Sequence, residues 1–323
     1  MSDREEKIGK NDNGKKNKGG KRNKIVAIEM IILVLLIMAA VAIFIQRDKS
    51  VKEAAKIHNQ KAKKTEQTPQ AVQKENEIEE ETEGTEEENG DRDASVPDRS
   101  NFAVQPGVSV GTTEQSDEKI VYLTLDDGPS DNTQAVLDIL DKYNAKATFF
   151  VTGEMPEYKD MIKAAYDKGH TIGMHTYSHD YAKVYASVDA YFQDLDQIGQ
   201  MVQEEIGYVP CFIRFPGGSS NTVSKKYTAG IMSTLVQEVQ NRGYQYYDWN
   251  GSSGDGSVRT TEELVAQATS FDSNNIILLC HDSHGKQTTV EALPQIIEHY
   301  QSLGYTFKAL DRDSFVAHHG VNN

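Results

Sequence analysis

The sequence predicts an α/β domain built on a parallel sheet and carried behind a membrane anchor and an acidic stalk. Three observations predict it. From Lys119 onward, short runs rich in β-branched and aromatic residues alternate with helix-length amphipathic segments. Repeated alternation of this kind implies parallel strands joined by crossover helices, either closed as a barrel or open and doubly wound. Near the N-terminus, residues 25–45 form an apolar run with one charge, Glu29. Between the two, residues 46–117 are rich in Glu, Gln, Lys and Thr and show no sustained apolar periodicity.

The apolar run has 21 residues. At about 1.5 Å per residue it spans a hydrocarbon core of roughly 30 Å. Residues 1–24 carry nine Lys/Arg against four Asp/Glu, as the positive-inside rule expects of a cytoplasmic tail, although Arg47, Lys49 and Lys52 also follow the span. A cleaved signal peptide would have a shorter apolar region and a small-x-small cleavage site, and a buried core helix would be amphipathic. The expectation is a retained single-pass anchor in the cell membrane, with the C-terminal bulk outside. Residues 66–118 carry sixteen Asp/Glu against three Lys/Arg, so the stalk at 46–117 is expected to be extended and disordered.

The elements follow in order. Residues 119–125 read as a strand, and 132–143 as a helix capped by Ser130 or Asp131. A buried strand at 147–151 precedes a helix at 158–168 stopped by Gly169. Then come a strand at 171–175, a long helix at 188–206 closed by Gly207, and a strand at 212–215. A helix at 222–242 ends at Gly243 and leads into a strand at 244–248. The rest reads as helix 260–270, strand 276–280, helix 290–303 ended by Gly304, and strand 306–310.

From residue 119 to the end there are fifteen Lys/Arg and twenty-six Asp/Glu. That balance excludes nucleic acid as a partner, because neutralising phosphates takes clustered basic residues. The two cysteines, Cys211 and Cys280, lie in apolar strand-like runs and read as buried free thiols.

In both parallel architectures, chemistry is expected at the C-terminal ends of the strands. Four polar constellations lie there. Asp126-Asp127-Gly128-Pro129 ends the first strand with two adjacent carboxylates, one suited to a metal and its neighbour to a base. His175-Thr176-Tyr177-Ser178-His179 places two imidazoles where they can converge on one ion. Together with Asp127 they make a ligand set that leaves positions open for water and substrate. In Arg214-Phe215-Pro216-Gly217-Gly218, Arg214 can hold a carboxylate ionised through a bidentate pair, and Gly217 lets a backbone N–H approach an oxyanion. Leu278-Leu279-Cys280-His281-Asp282 ends an apolar strand in a candidate general acid.

In this order the motifs resemble the polysaccharide deacetylase family of carbohydrate esterases, which shares the NodB-homology domain; the resemblance covers roughly residues 118–312. It implies a distorted, incomplete (β/α) barrel over about 118–318. Asp126 would be the catalytic base, and Asp127, His175 and His179 would hold a divalent metal, Zn2+ first with Co2+ or Mn2+ as alternatives. His281 would be the general acid, Arg214 would orient Asp126, and Gly217 would supply a backbone donor. Leu279 would line a pocket for the acetyl methyl group, with Pro216 and Trp249 beside the substrate. Trp249 either stacks on a sugar face or packs in the core. Two departures stand out. The family often has an aromatic residue where this chain has Gly217. The family's Asp-x-x-Asp-Trp motif is replaced around residues 247–255, leaving both Asp255 and Asp248 as candidate partners of His281.

The implied activity is hydrolysis of N-acetyl groups on a cell-surface glycan, peptidoglycan N-acetylglucosamine first, by a monomeric catalytic domain. O-deacetylation of a xylan and deacetylation of chitin or poly-N-acetylglucosamine are the enzyme alternatives. The non-enzyme alternative is a glycan-binding module that has lost catalysis.

Overall fold

The structure, a computed structural model, describes residues 99–323. The expected basic tail, membrane span and stalk up to residue 98 lie outside the described residues. Among those described, no helix is long and apolar enough to cross a membrane.

The strands are β1 (Ile120–Asp126), β2 (Ala147–Val151), β3 (Thr171–Met174), β4 (Phe212–Ile213), β5 (Gln245–Tyr246), β6 (Gly251–Ser252), β7 (Asn275–His281) and β8 (Thr306–Phe307). They form one parallel sheet in the order β5-β4-β3-β2-β1-β7-β6, with β8 pairing the start of β1. The two ends, β5 and β6, do not pair among the described residues, so the sheet curls without closing. This is the incomplete barrel that the resemblance implied.

The helices are α1 (Thr133–Lys142), α2 (Asp160–Asp167), α3 (Tyr181–Val184), α4 (Val188–Ile206), α5 (Ile231–Asn241), α6 (Thr261–Ala268) and α7 (Gln287–Ser302). Helix α4 shows why local chemistry suffices for some elements. Ser187 accepts the Ala190 N–H at its start, and Gly207 ends it in the left-handed conformation at φ +88°.

Alternation along the strands sorts the core into two layers. On β1, Val121, Leu123 and Leu125 pack with the helices, as do Ile276, Leu278 and Cys280 on β7. The opposite face of the same strands supplies Ile120, Tyr122 and Ile277 to an inner core with Phe150, Phe212 and Tyr247. The last residues on that inner face of β1 and β7 are Asp126 and His281, which are register partners at the open end of the barrel. Both cysteines are free and buried.

The structure corrects several expectations. Residues 99–117 fall within the expected stalk, yet they fold against the barrel. Arg99 is buried and donates to the His170 and Tyr166 carbonyls, while Phe102 and Val110 join the inner core. The folded part also runs past 318, where the Asn323 side chain accepts the Gly230 N–H. The helix expected over 222–242 is broken: a 3-10 turn at Ser224–Lys226 precedes α5, which starts after Gly230 at φ +77°. Neither Ser130 nor Asp131 caps α1. Asn132 stands at the cap without a side-chain cap bond: its amide donates to the Ser283 carbonyl at 2.8 Å instead, while the Ser130 hydroxyl donates to the Asp282 carbonyl. Strands β4 and β5 are each two residues long, and β6 and α3 were not anticipated.

Candidate functional site

Every singled-out polar residue lies on or shortly after the C-terminal end of a strand. Asp126 is 2 % exposed, and its Oδ1 accepts from Arg214 Nη1 at 2.7 Å. The bidentate fork expected for Arg214 does not form. Its Nη1 also donates to Thr124 Oγ1 at 2.8 Å, while Nε and Nη2 are taken by the Tyr247 and Asp248 carbonyls at 2.8 and 3.2 Å. The guanidinium lies 4.3 Å from the Phe150 ring centre and is fully buried. One fixed donor on Oδ1 therefore leaves Asp126 Oδ2 facing the site, 3.8 Å from His175 Nε2.

Asp127, His175 and His179 each offer one ligand atom, and these atoms all lie within 4.8 Å of one another. Asp127 Oδ1 stands 3.4 Å from both imidazole Nε2 atoms. It is buried and has no hydrogen-bond partner among the described residues. A buried carboxylate oxygen without a donor is costly by itself, so a cation is the partner this arrangement fits. His175 Nδ1 donates to the Arg214 carbonyl at 2.8 Å, which leaves its Nε2 lone pair for an ion. Burial pushes the Asp127 carboxyl up, but the charges of His175, His179 and His281 outweigh it and hold the group below the ordinary range. Two imidazoles and one carboxylate with open positions suit a first-row divalent metal.

The rim is strained. Asp127, Thr176 and His179 have φ of +67°, +68° and +46°, three of the four non-glycine residues of positive φ among those described. Such residues cost about 1–3 kcal/mol each and persist only when the surroundings hold them. Asp194 on α4 holds the histidine loop. Its Oδ1 accepts the Tyr177 and Ser178 N–H groups at 2.5 and 3.1 Å, and its Oδ2 accepts the Ser178 hydroxyl at 2.5 Å. Nothing in the motif pointed to Asp194. A signal did exist in α4, where an acid falls on the apolar stripe of Tyr191, Leu195 and Ile198.

Asp255 is the partner of His281. Its Oδ1 accepts from His281 Nδ1 at 2.8 Å, and its Oδ2 accepts the His281 N–H at 2.7 Å and the Thr289 hydroxyl at 2.9 Å. Asp248 lies elsewhere: it accepts from the Ser219 N–H and hydroxyl at 2.8 and 2.5 Å and from the His319 N–H at 2.8 Å. Burial alone pulls the His281 imidazole down. The Asp255 hydrogen bond, with the charges of Asp255, Asp126 and Asp127, overcomes that and lifts it to about 9. His281 Nε2 then points at the site, 3.9 Å from Asp127 Oδ2.

The remaining rim residues are less tightly bound into this network. Leu279 is 7 % exposed and shares the inward face of β7 with His281. Gly217 is exposed at φ +75°, and buried Pro216 accepts the Tyr185 hydroxyl at 2.8 Å. Trp249 is partly buried against the inner core and edge-on to His319 at 4.8 Å. Asp282, quoted in the motif without a role, is buried beneath the rim. Its Oδ2 accepts the Thr133 hydroxyl at 2.6 Å, its Oδ1 has no partner among the described residues, and burial lifts the carboxyl to about 7.

Known proteins are similar to this chain in sequence and fold. A solved catalytic domain of peptidoglycan N-acetylglucosamine deacetylase from Eubacterium rectale superposes with a TM-score of 0.63 at 47 % identity, covering 65 % of this chain and 97 % of that one. A peptidoglycan-N-acetylglucosamine deacetylase of Bacillus cereus is 29 % identical over 226 residues, 65 % of this chain and 78 % of the relative. The polysaccharide deacetylase YheN of Bacillus subtilis is 30 % identical over 217 residues, 64 % of this chain and 72 % of the relative. The family model described as polysaccharide deacetylase matches residues 113–236. The chain belongs to the polysaccharide deacetylase family.

Proposed function

We propose that this chain removes N-acetyl groups from a cell-surface glycan, peptidoglycan N-acetylglucosamine first, and releases acetate. One observation carries the reading: the orphaned Asp127 oxygen facing two imidazoles, flanked by an Arg214-held carboxylate and an Asp255-held imidazole. The substrate is favoured because two relatives named above are peptidoglycan N-acetylglucosamine deacetylases.

Asp127, His175 and His179 would hold the divalent metal, Zn2+ in this reading, which polarises the acetyl carbonyl and lowers the pKa of water when bound. Asp126 takes the proton of the attacking water through Oδ2, because Arg214 occupies Oδ1. The Gly217 N–H donates to the oxygen that becomes negative in the transition state. His281, protonated at neutral pH, delivers its proton to the amine nitrogen as the C–N bond breaks. Leu279 faces the acetyl methyl group, and Pro216 and Trp249 flank the sugar. The apolar run at 25–45 anchors the chain in the cell membrane with this domain outside.

A soluble fragment starting ahead of Arg99, stripped of metal and reloaded with zinc, cobalt or manganese, tests the reading. Acetate release is expected from peptidoglycan and N-acetylglucosamine oligomers, and Asp126→Asn should abolish it. Release only from acetylated xylan would reassign the substrate, and release from nothing under any metal would remove the enzyme reading.

A further inference from the structure

Gly217 leaves a gap at the rim, and Tyr181 fills it. A Cβ built on Gly217 would stand 2.5 Å from the Tyr181 hydroxyl and 3.5 Å from its ring carbon Cζ. The phenol thus occupies the place a side chain at 217 would take. Tyr181 opens α3, two residues beyond the candidate ligand His179. Its ring is braced edge-on between His179 at 5.9 Å and Tyr185 at 5.5 Å. The Tyr185 hydroxyl is committed to the Pro216 carbonyl at 2.8 Å, whereas the Tyr181 hydroxyl makes no hydrogen bond to a described residue. The Tyr181 side chain is only partly buried, so this unused donor faces the mouth of the site beside the exposed Gly217 backbone.

We propose that Tyr181 is a substrate-binding residue: its ring walls the groove between His179 and Gly217, and its hydroxyl donates a hydrogen bond to the N-acetylated sugar. The inference rests on the deacetylase reading and adds a contact that none of the four motifs contains. Sugars present hydroxyl and carbonyl acceptors densely, and a phenol offers both a flat apolar face and a donor. One neutral hydrogen bond corresponds to about 2- to 12-fold in binding.

The test uses the full chain loaded with zinc, with N-acetylglucosamine oligomers as substrate and zinc affinity measured by chelator competition. Tyr181→Phe should raise KM about 3- to 10-fold, with kcat and zinc affinity within about twofold. Tyr181→Ala, which also removes the wall, should raise KM further. In a double-mutant cycle, Gly217→Ala should do less harm in the Tyr181→Phe background, because the obstructing oxygen is gone. Unchanged KM in both variants would overturn the proposal. So would a loss of zinc affinity matching the change in KM, which would make Tyr181 a support for His179. A wild-type chain that releases no acetate would instead overturn the deacetylase reading.

Discussion

Asp255 grips His281 at two points, accepting its ring Nδ1–H at 2.8 Å and its backbone N–H at 2.7 Å. The carboxylate thereby sets both the direction of the imidazole and its proton affinity. His281 titrates at about 9 against an ordinary value of 6.5. A pKa raised in the folded state adds stability that is complete below about 6.5 and is lost as pH rises through about 9. The proton needed for the leaving amine is lost over the same upper limb. Asp255→Asn should move the alkaline limb of kcat/KM down by about 1–2 pH units and lower kcat by about 100-fold. A pH–rate profile reads both, and an unmoved limb would detach Asp255 from the chemistry.

Chelation should abolish activity, and zinc should restore it. His179→Ala should weaken zinc binding by more than about 100-fold. Because the ligand atoms converge only in the folded chain, saturating zinc should also raise the melting temperature. At one hundred times the dissociation constant the gain is about 2.7 kcal/mol. Thermal melts of wild type and His179→Ala with and without zinc measure it, and an equal rise in both would place the ion elsewhere.

Asp194 touches no ligand atom, yet it holds the backbone of the loop that carries them. Asp194→Ala should cost about 10- to 100-fold in zinc affinity. Asp194→Asn keeps one acceptor and should fall between. Cobalt absorption spectra report the ligand geometry directly, and unchanged spectra and affinity in both variants would make Asp194 structural only.

Arg214→Lys should be severe despite the conserved charge. A single ammonium cannot replace the Nε and Nη2 donors to Tyr247 and Asp248 while also reaching Asp126. The expected loss is about 3–5 kcal/mol in a urea melt, as when one partner of a buried ion pair is removed.

Asp282 gives a pH dependence of the same sign in a more acidic window. Its carboxyl titrates at about 7 folded, against 3.8 ordinarily, so stability falls as pH rises between those values. Asp282→Asn keeps the acceptor for Thr133 without the charge. Its melting temperature, measured without metal, should gain on wild type between pH 5 and pH 8. A constant difference across that range would show that the Asp282 carboxyl binds its proton no more tightly in the folded chain than in the unfolded one.

What was legible in the sequence followed local signals. Helix α4 was readable to both ends because Ser187 caps it and Gly207 ends it. The catalytic candidates were readable because β1, β3 and β7 are long or apolar enough to show where they stop. The folding of residues 99–117 was hidden. Phe102 and Val110 lie in a short stretch broken by Pro106 and Gly107, with no sustained apolar period, and the inner core they join draws on residues far along the chain, Cys211, Phe212, Phe315 and Val316 among them. The choice between Asp248 and Asp255 was hidden for the same reason. Strand β6 is two residues long and is defined by its pairing with β7, where Gly251 and Ser252 meet Leu278 and Leu279. That pairing carries the chain on to Asp255, beside His281.

The register Asp126↔His281 on adjacent parallel strands has a consequence for engineering. The candidate base and acid are spaced by the same backbone ladder that builds the barrel, so their separation cannot be tuned by loop exchange. A one-residue slip of either strand would turn its member of the pair into the helix-facing layer. The loops that carry Tyr181, Gly217 and Trp249 are under no such constraint. Attempts to redirect this scaffold to another acetylated polymer should therefore spend their diversity on those loops and leave β1 and β7 untouched.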